Sequence, residues 1–356
     1  MAVSFNLSTF CIALTLLCWW LLLPLLSPSV DEFQEFLSRH SFNSSRKWIL
    51  ATLANEAYIP LVNLFVARLS SLQIQNLIVF CIDPYIYDYC MSHHIPAWRV
   101  TDLPNFLPFW QNILQHINHR RAFSAGNIEF VSLTQLKYLV FYSVISYNFD
   151  ILFSDPDILW IQNPIPYIQQ EEHGRPADIL IQTDRMYPHQ SLFSSMNTGF
   201  LYIRSHCGTQ LLLRIMMQQM YKQYPIVSQQ RSFNRVLCRT GPFWYSKRVA
   251  TNTCLTFLEP DHTFLSCIGV NTKGLRDFRY LSAQIVTQVF DPEMFPHGAH
   301  TLLGNMRWID ISLPKDNIVF HSDAMIIHYN WIRGVVNKTE KISQALAYSG
   351  LHFPME

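Results

Sequence analysis

Three consecutive stretches near the start of the chain constrain its fold more than any other feature. Residues 48–53 (WILATL) and 76–83 (NLIVFCID) are short and almost continuously apolar, and the residues between them place apolar side chains every three or four positions. That spacing is the period of a helix, whereas short apolar runs indicate buried strands. Strands that are apolar on both faces are typical of a parallel sheet covered by helices. The sequence therefore predicts an α/β fold with a mostly parallel central sheet and helices on both faces.

A pair of aspartates follows a later strand of the same kind. A helical stretch at residues 133–146 leads into FDILFSDPD, which places Asp155 and Asp157 at the carboxyl end of a strand. Ligands of open α/β sheets bind at that edge, and side chains two positions apart on an extended segment point the same way. Pro156 stiffens the turn between them. Two carboxylates about 4 Å apart repel by roughly 4 kcal/mol at an effective dielectric constant of ~20, so we expect a cation beside the pair.

The charge balance excludes one class of protein. The 356 residues include 26 Lys and Arg against 25 Asp and Glu, a formal net charge of +1, and no run of basic residues. Nucleic-acid binding needs a basic surface that meets the phosphates, so we exclude that class. The length allows a core large enough for an enzyme. Aromatic and charged residues each make up 14% of the chain, a balance that suits a role at membranes or on carbohydrate.

The first thirty residues carry no charge, and residues 10–26 read FCIALTLLCWWLLLPLL. With its neighbours this stretch reaches the length that spans a bilayer. We predict a short cytosolic tail at 1–9, a transmembrane signal-anchor at 10–30, a stem at 31–47 and a luminal domain at 48–356. A cleaved signal peptide is the alternative, although LLSPSV is a poor cleavage site. Both interpretations send the body into the secretory pathway, and we expect a single-pass type II protein of the Golgi membrane.

Glycosylation and cysteine signals agree with a luminal body. Asn43 and Asn337 each begin a glycosylation sequon. Outside the predicted anchor, an even number of cysteines allows up to three disulfide bonds in an oxidising compartment. These are Cys81, Cys90, Cys207, Cys238, Cys254 and Cys267. The chain has no Cys-x-x-Cys pair with the spacing of a zinc site, so we expect no metal–thiolate site.

Polar residues end three of the predicted strands. Asp155 and Asp157 end one, Asp184 and Asn197 lie together at the next, and His328 ends the last. This ordered set resembles the nucleotide-diphospho-sugar transferase family, glycosyltransferases with the Rossmann-like GT-A fold that include the plant rhamnogalacturonan xylosyltransferases of glycosyltransferase family 77. The matching stretches cover about residues 48–338 and are ATLANEAYIPLV, QLKY, LFSDPDILWIQNP, MNTGFLYIRS, QQRSFNRVL and HYNWIRGVVNK.

The resemblance implies a metal-dependent glycosyltransferase. Such an enzyme moves a sugar from a nucleotide sugar, expected to be UDP-linked, to a glycan or glycoprotein acceptor, with retention of configuration. The aspartate pair would bind Mn²⁺ or Mg²⁺ and act in catalysis, with Asp157 the more direct ligand and Asp155 shared with the ribose. His328 would be the third ligand, and an imidazole favours Mn²⁺ over Mg²⁺. The alternative for His328 is a core histidine bonded to the backbone.

The resemblance also implies contacts with the donor. Lys338 would neutralise phosphate, and Lys137 would reach the sugar or a phosphate. A carboxylate and an amide at 184 and 197 would bond sugar hydroxyls, and the amide at 55 would contact uracil or ribose. The residues in these roles are Asn55, Lys137, Asp184, Asn197 and Lys338.

Each donor contact has an alternative. The lysines can be solvated helix residues, and Asn197 before Thr-Gly can form a turn. Lys338 lies inside the Asn337 sequon. Because a glycan would crowd a phosphate site, we expect only one of those two roles to hold.

One departure from the family pattern concerns the acceptor. The family often has Asp-Gln where this chain has Gln229 and Gln230. The missing acid at 229 can change acceptor choice or impair activity. The Gln230 amide, expected near the anomeric carbon, is compatible with a retaining, same-face reaction without a covalent nucleophile. A catalytically silent domain that still binds sugar or nucleotide is therefore the second hypothesis. A phosphatase of the haloacid-dehalogenase type is a third, which Leu159 and the mid-chain position of the pair disfavour.

Overall fold

The structure is a computed structural model, and it describes residues 30–42, 46–106, 108–115, 117, 128–174, 177–184, 196–223, 230, 232–233, 253–258, 283–290, 295, 324–330 and 334–348. The helices are α1 (Val30–Arg39), α2 (Ile59–Ser71), α3 (Pro84–Ser92), α4 (Pro108–Gln115), α5 (Ile128–Ser146), α6 (Ile165–Gly174), α7 (Cys207–Gln223) and α8 (Val335–Tyr348). The strands are β1 (Trp48–Ala54), β2 (Leu77–Cys81), β3 (Ala97–Arg99), β4 (Asp150–Ser154), β5 (Ile158–Trp160), β6 (Ile179–Thr183), β7 (Met196–Ile203), β8 (Thr253–Leu258), β9 (Ala283–Val289) and β10 (Ile326–His328).

The described strands form a large mixed sheet and a small one. The large sheet has the order β3-β2-β1-β4-β7-β6-β9-β8, and β5 pairs with β10 in the small one. The predicted parallel pattern is confirmed in the block β3-β2-β1-β4. Strand β7, however, runs antiparallel to both β4 and β6. Because β6 and β7 are buried along their whole length, their apolar pattern carries no sign of direction, and the sequence alone could not have shown this reversal.

Successive residues of β1 enter two separate cores. Ile49 and Ala51 pack with residues of α1, α4, α5 and α7, whereas Trp48 and Leu50 pack with residues of α2, α3 and α6. Side chains alternate across a strand, so helices on both faces explain why the strand is apolar throughout. The prediction of helices on both faces is therefore confirmed.

Local signals explain where two of the helices begin. Helix α3 starts after Asp83, whose side chain accepts from the Ile86 amide at 3.1 Å, with Pro84 in the first position. Both are standard helix-start features. The same carboxylate accepts from the Glu56 amide at 2.8 Å, which fixes the loop after β1. Helix α8 follows Gly334, whose φ of 83° is a conformation that glycine adopts without strain.

The segment predicted as a stem includes α1. Phe33 and Leu37 of this helix are fully buried and belong to the core beneath the large sheet. The Phe33 ring lies 5.0 Å from the Trp98 ring and 5.4 Å from the Tyr147 ring. This helix is therefore packed onto the folded domain, and the domain boundaries drawn from the sequence stay predictions.

Several sequence predictions fall outside the described residues. They concern residues 1–29, Asn43, Gln229, Cys238 and Cys267. Within the described part, no helix combines the length and the apolar character needed to cross a bilayer. Cys81 and Cys90 are buried and free, because both thiols lie in the apolar core between the sheet and α2–α3. This lowers the expected maximum from three disulfide bonds to two, and Cys207 of α7 is disulfide-bonded.

Candidate active site

The aspartate pair lies in a tight turn between β4 and β5, at the carboxyl edge of the large sheet. The Ile158 amide donates to the Asp155 carbonyl at 3.2 Å and closes the turn. The Asp155 amide donates to the Gly199 carbonyl of β7 at 2.7 Å. These backbone bonds hold both carboxylates at the position predicted from the sequence.

The pairing of β5 with β10 brings His328 to the aspartates. His328 stands opposite Ile158 in this antiparallel pair, and the Tyr329 amide donates to the Asp157 carbonyl at 3.1 Å. As a result, His328 Nε2 lies 3.4 Å from Asp157 Oδ1. One ligand atom each from Asp155, Asp157 and His328 lies within 4.8 Å of the other two. The structure thus brings together the three residues that were expected to hold a metal.

One oxygen of this cluster tests whether a metal fits. Asp157 Oδ1 is buried, and it has no hydrogen-bond partner among the described residues. A buried carboxylate oxygen without a partner is costly, and an ion shared with the His328 nitrogen would offset that cost. Carboxylate oxygens with one imidazole suit Mn²⁺ or a related divalent ion. The residues present therefore fit a divalent metal.

Two lysines neutralise the carboxylates. Lys137 of α5 places Nζ 2.6 Å from Asp155 Oδ1 and 2.8 Å from Oδ2. Lys338 of α8 forms an ion pair with Asp157 Oδ2. Both ammonium groups are largely buried, with 7% of the Lys137 side chain and 14% of the Lys338 side chain exposed. Neither lysine is a solvated surface residue, which removes the alternative interpretation of both.

The two aspartates differ in their pKa values. Burial raises the pKa of Asp155 above its usual value, although the Lys137 ammonium opposes the rise, and the Asp157 carboxylate adds to it. Burial would also raise the pKa of Asp157, but Lys338 and His328 outweigh it and hold that pKa well below the usual range. Asp157 is therefore the carboxylate that stays ionised under all ordinary conditions, in line with its expected role as the more direct ligand.

Asp184 is the centre of a second polar group beside the metal cluster. It lies just beyond β6, and its Oδ1 accepts from Asn197 Nδ2 at 2.7 Å and from Asn330 Nδ2 at 2.8 Å. Its Oδ2 accepts from Gln230 Nε2 at 2.9 Å. The structure thus joins Asp184, Asn197 and Gln230, which were assigned to donor binding and catalysis, and adds Asn330. Asn197 lies in β7, and its side-chain oxygen also accepts from the Gly199 amide at 2.6 Å, which is the local bond expected of its turn alternative.

Gly199 was not recognised from the sequence, and the structure shows why it is needed. A Cβ atom at this position would lie 2.3 Å from His328 Cε1 and 2.8 Å from Asp155 Oδ2. The pairing of β6 with β7 shifts register after Ile181, and such bulges commonly re-aim side chains next to active sites. Glycine therefore lets β7 pass against the cluster. A glycine inside a buried strand was the available signal.

Gln182 was also missed. This buried residue of β6 places its side-chain oxygen 2.9 Å from His328 Nδ1. The signal was a polar residue inside the otherwise apolar run ILIQT.

The structure also describes Asn55 and Asn337, which were predicted to contact the donor and to carry a glycan, respectively. Asn55 is fully buried at the carboxyl end of β1, and its contact with the base or ribose stays a prediction. Asn337 is exposed on α8, next to Lys338. Neighbouring helix residues point about 100° apart, and the expectation that only one of the two roles holds stays a prediction.

A family model agrees with this geometry. The model described as nucleotide-diphospho-sugar transferase matches residues 72–342, a range that includes both aspartates, both lysines and His328. The chain belongs to this family. The resemblance inferred from the sequence motifs is thereby confirmed, and only Asn55 among the predicted donor residues lies outside the matched range.

Curated relatives in the nucleotide-diphospho-sugar transferase family come from Arabidopsis thaliana. Beta-arabinofuranosyltransferase RAY1 is 21% identical over 295 residues, which are 82% of this chain and 46% of the relative. Arabinosyltransferase XEG113 is 21% identical over 142 residues, 39% of this chain and 19% of the relative. The chain thus spans less than half the length of either.

Among solved structures, mouse xyloside xylosyltransferase 1 in its apo form is 12% identical, with 80% of this chain and 97% of that chain covered. The TM-score is 0.40, so the family assignment rests on the family model.

Proposed function

We propose that this chain is a metal-dependent glycosyltransferase with a GT-A fold that moves a sugar from a UDP-sugar to a glycan or glycoprotein. The observation that carries the proposal is the convergence of Asp155, Asp157 and His328 around a buried carboxylate oxygen that has no hydrogen-bond partner among the described residues. Two buried lysines beside this cluster supply the positive charge that a diphosphate needs.

Asp155, Asp157 and His328 would hold the metal, which we propose to be Mn²⁺ or Mg²⁺. When bound, the metal supplies Lewis-acid stabilisation of the diphosphate leaving group. The imidazole favours Mn²⁺ over Mg²⁺, because Mg²⁺ is a hard cation that prefers oxygen ligands, whereas Mn²⁺ also accepts a nitrogen ligand.

Lys338 would act on the diphosphate as the glycosidic bond breaks. It lies in the first turn of α8, where the helix dipole and free amides favour an anion. A positive side chain is unfavourable at this end of the helix dipole unless a negative group lies nearby. Asp157 supplies one negative charge, and a bound phosphate would supply more. Lys338 would share its charge between Asp157 and the leaving phosphate.

The Asp184 group would bind the transferred sugar. Its carboxylate and amides offer acceptors and donors on a small, largely buried surface, the chemistry that recognises neighbouring hydroxyls. Gln230 belongs to this group, so its amide would lie beside the anomeric carbon. We propose a retaining, same-face reaction in which the bond from the anomeric carbon to the UDP phosphate oxygen breaks, the acceptor oxygen bonds to that carbon from the same side, and the leaving phosphate takes the hydroxyl proton.

The identity of the sugar is narrowed by the relatives. Both are named for arabinose transfer, so a UDP-arabinose donor is our first proposal, with UDP-xylose, UDP-galactose and UDP-glucose as the other candidates.

A donor-hydrolysis screen tests the proposed function. The purified chain is incubated with Mn²⁺ and each UDP-sugar, UDP-arabinofuranose included, and the released UDP is measured against GDP-sugar controls. We expect one UDP-sugar to be hydrolysed, and Asp157→Ala to lower the rate about a thousandfold because metal stabilisation is worth several kcal/mol. If the chain neither binds nor hydrolyses any donor, the proposal fails.

The acceptor-side departure supports one alternative. Gln229 replaces an acid that the family often carries, which fits a silent domain that binds sugar or nucleotide without transfer. Metal-dependent UDP-sugar binding without UDP release would favour this alternative.

We further propose that the body lies in the lumen of the Golgi and is held there by the apolar segment at 10–30. The uncharged N-terminal residues and the sequons Asn43 and Asn337 support this location. Protease protection of the C-terminal part in sealed microsomes, together with a mobility shift after glycosidase treatment, tests it.

A further inference from the structure

The His328 ring has a partner on the side that faces away from Asp157. Its Nδ1 atom lies 2.9 Å from Gln182 Oε1, and Gln182 Nε2 donates to the Phe295 carbonyl at 3.0 Å. All three residues are buried: His328 is 2% exposed, Gln182 is 0% exposed and Phe295 is 1% exposed. A chain of buried hydrogen bonds therefore runs from the backbone to the imidazole.

The Phe295 carbonyl determines how the Gln182 amide is oriented. In the reverse orientation the Gln182 oxygen would face the Phe295 oxygen, and two buried acceptors at that distance repel. The Gln182 oxygen must therefore face the ring, where it accepts a hydrogen bond only from an N–H group. Nδ1 of His328 accordingly carries the hydrogen.

This hydrogen-bond pattern leaves Nε2 as the nitrogen that faces Asp157. In a neutral imidazole with hydrogen on Nδ1, Nε2 holds a lone pair. Nε2 lies 3.4 Å from Asp157 Oδ1, an oxygen that has no hydrogen-bond partner among the described residues. Metal-binding histidines usually donate their other N–H to an acceptor that fixes the tautomer and the ring orientation, and Gln182 stands in the place of that acceptor.

We infer that Gln182 is a positioning residue that selects the tautomer of His328 and aims Nε2 at the metal. The inference rests on the proposed metal-dependent function and deepens it. Gln182 does not touch the metal or the donor; it acts through the histidine. Its influence should therefore concern the choice between metals, since the imidazole is the ligand that favours Mn²⁺ over Mg²⁺.

Mn²⁺ binding to the purified full chain, followed by electron paramagnetic resonance, tests the inference. Gln182→Met keeps the length of the side chain but removes both hydrogen bonds. We expect Mn²⁺ affinity to fall 10- to 100-fold, as for other partners of metal ligands, and Mg²⁺ affinity to fall less. The spin-echo modulation from a coordinated ¹⁴N nucleus should be present in the wild type and lost in Gln182→Met and in His328→Ala.

Two further variants separate positioning from general stability. Gln182→Glu keeps a side-chain oxygen that can accept from His328 Nδ1, so it should restore the ¹⁴N modulation. Gln210→Met removes a comparable glutamine bond to the Ile145 carbonyl, 3.0 Å long and outside the cluster, and it should leave Mn²⁺ binding unchanged. In a His328→Ala background, Gln182→Met should cause no further loss of Mn²⁺ affinity.

The outcomes distinguish this inference from the function on which it rests. If the wild-type chain binds no Mn²⁺, the metal-dependent function itself is overturned. If the wild type binds Mn²⁺ but Gln182→Met keeps the ¹⁴N modulation and the same preference for Mn²⁺ over Mg²⁺, only the role of Gln182 is overturned. The role of Gln182 would also be overturned if Gln182→Met lowered the Mn²⁺ and Mg²⁺ affinities equally and caused the same loss in the His328→Ala background.

Discussion

Asp155 and Asp157 are separated by one proline, yet their surroundings differ. Asp157 is 5% exposed and contacts both Lys338 and His328, whereas Asp155 is half-buried and contacts Lys137. The repulsion that the sequence implied is therefore offset by a separate lysine for each carboxylate. Among the described residues, neither lysine forms a hydrogen bond with Asp157 Oδ1, so this oxygen can bind a further cation.

Removing the charge of Asp157 should destabilise the folded chain. Asp157→Asn leaves the Lys338 ammonium buried without its partner, and breaking a buried pair in this way typically costs about 3–5 kcal/mol. Urea unfolding of the metal-free protein measures the loss. The double variant Asp157→Asn, Lys338→Met should regain much of this stability but none of the activity. A double variant no more stable than the single one would contradict the pairing.

The same pair predicts how stability depends on pH. The pKa of Asp157 is lower in the folded than in the unfolded state. Its stabilisation is therefore present above the ordinary aspartate pKa of about 4 and is lost only as the pH falls through the lowered value. His328 also contacts Asp157 and belongs to a residue type that titrates near neutral pH, so the comparison is made in a His328→Ala background. There the difference in unfolding free energy between Asp157 and Asp157→Asn should stay constant from about pH 8 to about pH 5. A difference that shrinks across this range would contradict the assignment.

Lys338 should have opposite effects on metal and nucleotide. The Lys338 ammonium group forms an ion pair with Asp157 and repels a second cation. Lys338→Met should therefore strengthen Mn²⁺ binding in the absence of nucleotide by roughly tenfold. The same change should weaken UDP binding in the presence of Mn²⁺ by a similar factor, since a phosphate contact is lost. Calorimetric titration measures both. If Lys338→Met changed the Mn²⁺ and UDP affinities in the same direction, Lys338 would not contact both Asp157 and the phosphate as proposed.

Strand β7 shows how one element shapes the site. Its Gly199 passes so close to His328 that any side chain must displace the ring. Gly199→Ala should therefore lower Mn²⁺ affinity by at least about tenfold and also lower stability, because overpacking typically costs about 1–3 kcal/mol. Mn²⁺ titration and urea unfolding report the two effects.

A second glycine provides the matched control. A Cβ atom at Gly208 of α7 would also be crowded, at 2.9 Å from both His206 Cε1 and Ile285 Cδ1, but away from the cluster. Gly208→Ala should lower stability without changing Mn²⁺ affinity. If both variants alter Mn²⁺ binding equally, the close approach of β7 is not what matters.

At the scale of the whole molecule, α1 belongs to the folded domain although the sequence suggested a stem. Phe33→Ala removes a fully buried ring next to Trp98 and Tyr147 and should cost about 3–5 kcal/mol. A chain that begins at residue 48 should likewise be less stable than one that begins at residue 30. Thermal unfolding compares them; equal midpoints would show that α1 adds nothing to the domain.

Much of this architecture could be predicted because its signals are local. The apolar strands, the helical spacing and the place of Asp155 and Asp157 at a strand end all follow from short stretches of sequence. Lys137 and His328 were found through the ordered motifs of the family. These residues are far apart in the chain, and only the resemblance gave a reason to join them.

Other features could not be predicted because they arise from packing. The direction of β7 has no local signal, since the strand is buried throughout. The roles of Gln182 and Gly199 depend on the distance between β6, β7 and β10, which no periodicity encodes. The burial of α1 likewise depends on Trp98 and Tyr147, residues far along the chain, so a short polar segment looked like a stem.

The most direct test of the central claim is a calorimetric titration of UDP into the purified chain with and without Mn²⁺. In the absence of a metal ion, Lys137 and Lys338 are paired with Asp155 and Asp157 and leave no net positive charge for a diphosphate. We therefore predict that UDP binds only when Mn²⁺ is present, and that Asp157→Ala abolishes this binding. Equal UDP affinity with and without Mn²⁺, or undiminished binding by Asp157→Ala, would contradict the claim that this cluster is a metal and diphosphate site.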